Sequence, residues 1–268
     1  MRSRNLESFP ARKGGSAFAS AFKAEILKSK HGAPMRLAIA LALPFPLLAL
    51  HVALNAPQFG IQYSLWNYWY ALLMPISISL VAATVANADA RMGNRGLLSC
   101  GIPLSYVWGA KVAWCLALSL LSNLTVFIVY AAASLAAPEG SAGMLPMLET
   151  AFVLTVASSW MVPATLLLTM RAGMLAGAFV PLFMQLGLSF GWSAIPFWPL
   201  VPPTATIVLP TAFLPVLPSG EPASIGMALV ESMGQGGVVA LALVTACALT
   251  AALATAGAMW VSRSEELR

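Results

Sequence analysis

The chain has 268 residues, of which 59% are hydrophobic and 9% charged, with a net charge of +5. A soluble domain carries roughly 25% charged residues, so the composition excludes one and indicates a membrane protein. The excess positive charge would suggest nucleic acid only if it lay on one folded soluble face, and its distribution along the chain shows otherwise.

Residues 1–35 open the chain with "MRSRNLESFPARKGGSAFAS", which has neither the apolar core nor the cleavage pattern of a signal peptide and reads as a cytoplasmic tail. The stretch "AFKAEILKSKHGAPMR" follows at 21–36. Phe18, Phe22 and Ile26 recur every four residues with Leu27 beside them, while Lys23, Lys30 and Glu25 point elsewhere. That pattern predicts a short amphipathic helix lying in the membrane interface, ended by Gly32 and Pro34. Its lysines suit a lipid-surface anchor, each basic residue gaining about 1 kcal/mol near anionic headgroups.

Spanning a hydrocarbon core of about 30 Å takes about 20 apolar residues. Runs of that kind near 36–55, 66–87, 107–136, 149–170, 172–191 and 236–261 predict an all-α, six-span domain over 36–262, with a short tail at 263–268. Eight basic residues precede the first span. Arg91, Arg95 and Lys111 border the second connection, Arg171 the fourth, and Arg263 and Arg268 end the chain. With both termini inside, all fourteen basic residues are cytoplasmic, as the positive-inside rule requires. "LWNYWY" at 65–70 then places Trp66, Trp69 and Tyr70 at the outer interface, while Trp108 and Trp260 fall at the inner one. Lys111 enters span three and is expected to snorkel to the cytoplasmic surface.

Between spans five and six, "AIPFWPLVPPTATIVLPTAFLPVLPSG" is apolar but holds seven prolines and Trp198. Each proline removes a backbone donor, and lipid tolerates no unsatisfied backbone. We expect an external or re-entrant segment packed on protein, with a seventh span over 195–218 as the alternative.

The span centres offer almost no ionisable group, which argues against proton-coupled transport. The two histidines, His31 and His51, are expected on opposite sides of the membrane, and Cys100, Cys115 and Cys247 show no ligand or disulfide spacing. None of the five lysines follows a glycine, so no P-loop exists. The chain reads as a non-enzyme, with no catalytic residue, metal or cofactor of its own. The connection "NADARMGNRGLLSCGIPLSYVWGAK" at 87–111 is longer than a turn requires and has room for a short helix near 89–99.

These pieces together resemble the type-2 ABC exporter permeases, and most nearly their lantibiotic-immunity branch, over about residues 20–262. The resemblance rests on Ala24, Glu25, Lys28 and Lys30 in "FKAEILKSK", on Trp69 and Pro75 in span two, and on Asp89, Leu97, Leu98, Pro103 and Lys111 in order. "IPFWPLVPPT" after span five fits the same branch, whereas Gly93 and Gly96 depart from a well-formed loop helix. The resemblance implies a half-transporter in the bacterial cytoplasmic membrane that pairs with a second copy or a paralogue. A separate cytoplasmic ATPase would bind ATP and Mg and dock on the N-terminal helix and first cytoplasmic loop. Carried over, the docking candidates are Phe22, Glu25, Ile26, Lys28 and Lys30, then Asp89, Arg91, Arg95, Leu97, Leu98, Pro103 and Lys111. The implied cargo is an amphiphilic, lantibiotic-type peptide. A lipid or small-drug exporter of the same architecture, and a non-transporting membrane scaffold, are the alternatives.

Overall fold

The computed structural model describes residues 14–30, 32–91, 102–224, 226–234 and 236–263, leaving aside the side chains of residues 14–16, 90 and 91. It is a bundle of helices, and its breaks fall where glycine and proline dictate. Helix α1 (Gly14–Lys30) stops at Gly32, whose backbone is extended, and α2 (Ala33–Ala42) starts with Pro34 in its first turn. α3 (Pro44–Asn55) continues α2 across Leu43, so that 33–55 forms one apolar rod. Its far end is closed by Asn55, whose amide donates to the His51 carbonyl at 2.8 Å and lies 3.1 Å from the His51 ring nitrogen.

The second rod comprises α4 (Tyr63–Tyr68), a π-helical turn over Trp69–Leu73, and α5 (Met74–Arg91). The wide turn lies immediately ahead of Pro75, whose ring removes one donor from the ladder. α6 (Leu104–Ala136) has 33 residues, so it is about 50 Å long and exceeds the hydrocarbon core. α7 (Met144–Ala157) and α8 (Met161–Ala172) form a fourth rod interrupted at Ser158–Trp160, one turn ahead of Pro163. The Ser158 hydroxyl takes up the Leu154 carbonyl at 2.7 Å in that break.

Gly173, at φ 92°, turns the chain into α9 (Met174–Phe190). Here α8 and α9 approach so closely that a Cβ at Gly177 would collide with Thr169. The Gly173–Gly177 spacing thus combines a turn with a close contact.

Among the described residues, five helical rods are long and apolar enough to cross a membrane. The predicted fifth span is different. α9 has only 17 residues, about 25 Å, and falls short of the usual span. The proline-rich segment that follows does not form a seventh span. It folds into turns around the seven-residue helix α10 (Pro202–Val208), every residue of which is buried. The α9 side chains Gln185 and Ser189 both donate to the Pro203 carbonyl, at 3.0 and 2.8 Å, so protein rather than lipid satisfies this backbone. A bridge between Val216 and Pro222 closes a small hairpin, and α11 (Ala228–Met233) leads to α12 (Gly237–Arg263).

α12 returns to the end of the bundle where α1 lies. The Trp108 indole near the start of α6 donates to the Ala254 carbonyl at 2.8 Å, and Gly257 is small enough to accept its ring. Trp108 is therefore inside the bundle rather than in an interfacial belt. Both ends of the described chain meet the start of α6.

Candidate functional site: a buried charge cluster

Burial on α1 recurs at Ala17, Ala21, Glu25 and Ser29. This face is one step round from the apolar stripe expected at Phe18, Phe22 and Ile26. Small residues win because they let α1 lie close against α6, where Ala21 packs with Val107 and Ala110. Phe22 and Ile26 flank the contact half-buried, while Lys23, Leu27 and Lys30 face outward. Phe22 meets Trp114 edge-on with ring centroids 6.0 Å apart, and the Trp114 indole donates to the Ser29 hydroxyl at 2.8 Å.

This packing carries Glu25 inside, where a carboxylate needs partners. Lys111, from the second turn of α6, places its Nζ 3.1 Å from both Glu25 oxygens. The same Nζ lies 2.5 Å from Asp89 Oδ2 at the end of α5. Lys28 completes the group, donating to Glu25 Oε1 at 2.9 Å and Asp89 Oδ1 at 2.8 Å. Lys111, Glu25 and Asp89 have side chains 2%, 3% and 4% exposed, against 34% for Lys28. Two carboxylates and two ammonium groups thus balance their charge in one nest. Burial alone would lower the Lys28 pKa, but its bonds to Asp89 and Glu25 outweigh that and raise it above 10.5.

Snorkelling of Lys111 does not occur, because two carboxylates meet it inside the protein and a buried charge is tolerable when paired. Glu25, Asp89 and Lys111 are brought to one point, but all three are inaccessible to a partner protein. The docking candidate Lys28 is still exposed on α1, and so are Phe18, Lys23, Leu27 and Lys30, flanked by Phe22 and Ile26. Pro103 is exposed as the cap of α6, and Arg91 ends α5. Arg95, Leu97 and Leu98 lie outside the described residues, as does His31. Among the described residues, no group of three His, Cys, Asp or Glu side chains is placed to hold a metal ion.

The aromatic residues expected at the outer interface turn inward instead. Trp66, Trp69 and Tyr70 are at most 1% exposed, and only Tyr68 looks outward. Trp66 packs on Tyr130 with centroids 4.4 Å apart. The Trp69 indole donates to Asn123 Oδ1 at 3.0 Å, and the Asn123 amide donates on to Thr155 at 3.0 Å, linking three rods through one polar chain. Asn67 bonds the Tyr70 hydroxyl at 2.9 Å and the carbonyls of Leu217 and Pro218 at 3.2 Å. Trp198 sits half-buried in a 3-10 turn. The spacing of 63, 66, 67 and 70 is that of one helix face, a signal the interfacial reading of "LWNYWY" passed over.

Comparisons with family models, with curated proteins and with solved structures find no match to this chain.

Proposed function

We propose that this chain is the membrane subunit of an ABC exporter, powered by a separate ATPase that docks on α1 and the 92–101 connection. One observation carries the reading most strongly. Lys111 clamps α1, through Glu25, to Asp89 and so to both flanks of that connection. A subunit driven from outside needs a stiff handle, and a docked helix fixed to the roots of two spans supplies one. The outward Lys23, Leu27 and Lys30 give the handle an apolar contact with charges beside it. In this reading α9 completes a sixth crossing, both termini are cytoplasmic, and two such subunits pair in a bacterial membrane. The cargo is an amphiphilic peptide of lantibiotic type.

The test is extraction in mild detergent from the native host cells, followed by assay of the purified protein for a bound ATPase. Co-purification is expected, and Leu97→Asp with Leu98→Asp should abolish it without loss of membrane insertion. Wild-type protein that never retains an ATPase overturns the proposal. Unchanged sensitivity to a lantibiotic, with and without the gene, overturns the cargo alone.

A further inference from the structure

A cleft of about 640 Å³ opens beside the charge cluster, between the α1–α2 corner, the last turns of α5 and the start of α9. Its walls are mainly apolar, with Pro34, Val85, Ala88 and Met174 alongside Lys28 and Asn87. We infer that this cleft binds the headgroup of a membrane glycerophospholipid, with its phosphate on Lys28 and its glycerol and upper acyl carbons against the apolar wall.

Three observations converge on this occupant. The first is depth. Lys28 comes just before the rod Ala33–Asn55, Asn87 and Ala88 lie in the last turn of the rod Tyr63–Asp89, and Met174 is the first residue of α9. All three walls are therefore the ends of apolar helices, where headgroups lie whichever leaflet this end of the bundle faces. The second is donor capacity. An ammonium group carries three donors. Lys111 meets Glu25 Oε1, Glu25 Oε2 and Asp89 Oδ2 and is 2% exposed, so it has nothing to offer. Lys28 gives two donors to Glu25 and Asp89, leaving the third on a side chain that is 34% exposed and lines the cleft. The third is charge. Glu25 also borders the cleft, but both lysines already compensate it, so a phosphate at Lys28 does not confront a bare carboxylate. A membrane-interface lysine gains from a nearby lipid phosphate, and the volume of the cleft lies within the usual range for small ligands.

The experiment is native mass spectrometry of the full chain released from nanodiscs of phosphatidylcholine doped with phosphatidylglycerol. Wild-type protein should retain one phospholipid molecule, of either headgroup, after annular lipid is stripped. Lys28→Ala removes the phosphate contact and should lower that retention about tenfold or more. Ala88→Phe fills the cleft without touching a charge and should lower it similarly, which keeps the test decisive if Lys28→Ala misfolds. Equal retention by wild type and Ala88→Phe means annular lipid only and overturns the inference. Complete displacement of the lipid by millimolar inorganic phosphate also overturns it, since the site would then be a simple anion site. Neither outcome depends on whether an ATPase binds.

Discussion

Lys111 on α6 and Glu25 on α1 are separated by 86 positions in sequence, yet Nζ stands 3.1 Å from both carboxylate oxygens and neither side chain is more than 3% exposed. The small face of Ala17 and Ala21, rather than the phenylalanine stripe, packs on α6 and brings this pair together. Removing one member of a buried pair leaves the other uncompensated, which typically costs about 3–5 kcal/mol. Lys111→Met should therefore lower the unfolding midpoint in detergent sharply. The double variant Lys111→Met with Glu25→Gln should recover part of that loss, because Lys28 then faces one carboxylate, Asp89, instead of two. Strict additivity in the four-way cycle would show that the two groups do not interact.

Lys28 should behave differently with pH. Its folded pKa is raised above 10.5, because bonds to Asp89 and Glu25 outweigh the opposing effect of burial. A raised pKa stabilises the fold fully below the unfolded value, and this contribution is lost as pH rises through the folded value. Stability due to Lys28 is thus expected to stay flat from neutral pH to about 10.5 and to fall beyond it. Lys28→Ala should remove that alkaline step from a pH series of melting curves. A step that persists in the variant would assign it to another group.

The charge cluster shows why part of this architecture is legible in the sequence and part is not. Apolar runs and lysine placement report on the solvent around each segment, and the rods Ala33–Asn55 and Leu104–Ala136 follow from them directly. Glu25 and Lys111 each read in the sequence as charges near a membrane surface, where exposure costs nothing, so nothing local distinguishes a paired residue from a snorkelling one. Only the tertiary approach of α1 to α6, permitted by Ala17 and Ala21, brings them together. The inward orientation of Trp66 and Trp69 is hidden in the sequence for a related reason. Tryptophan is common both at interfaces and in cores, and only the partner on another helix, Tyr130 or Asn123, decides between them. The shortness of α9 depends on Gly191 and the turns after it, which an apolar count treats as more of the same span.

Asn123 offers a direct measure of polar linkage inside the bundle. It accepts from Trp69 and donates to Thr155, so Asn123→Leu leaves the Trp69 N–H buried without a partner. Interhelical hydrogen bonds in membranes average about 0.6 kcal/mol and reach about 1.7. Asn123→Leu should therefore destabilise by about 1 kcal/mol, with less effect when Trp69 is already Phe. Such a loss would be well below that of Lys111→Met, because no charge is stranded. A loss as large as that of Lys111→Met would mean that Asn123 organises more than two bonds.

The outer face of α1 separates anchoring from docking. Lys23, Leu27 and Lys30 point away from the bundle, and Leu27 is 57% exposed. Substitution there leaves Ala17, Ala21 and Glu25 in place, so Leu27→Asp should change the unfolding midpoint by less than about 0.5 kcal/mol in free energy. If this face docks the proposed ATPase, an aspartate placed in the contact should weaken co-purification about tenfold while membrane insertion persists. Lys111→Met, by contrast, should lower stability and partner retention together, since it releases the helix that presents the face. Were α1 only a lipid anchor, Leu27→Asp would leave ATPase retention unchanged and reduce binding of an isolated α1 peptide to anionic vesicles. Measuring both retention and peptide partition in the same variant therefore assigns this face to protein or to lipid.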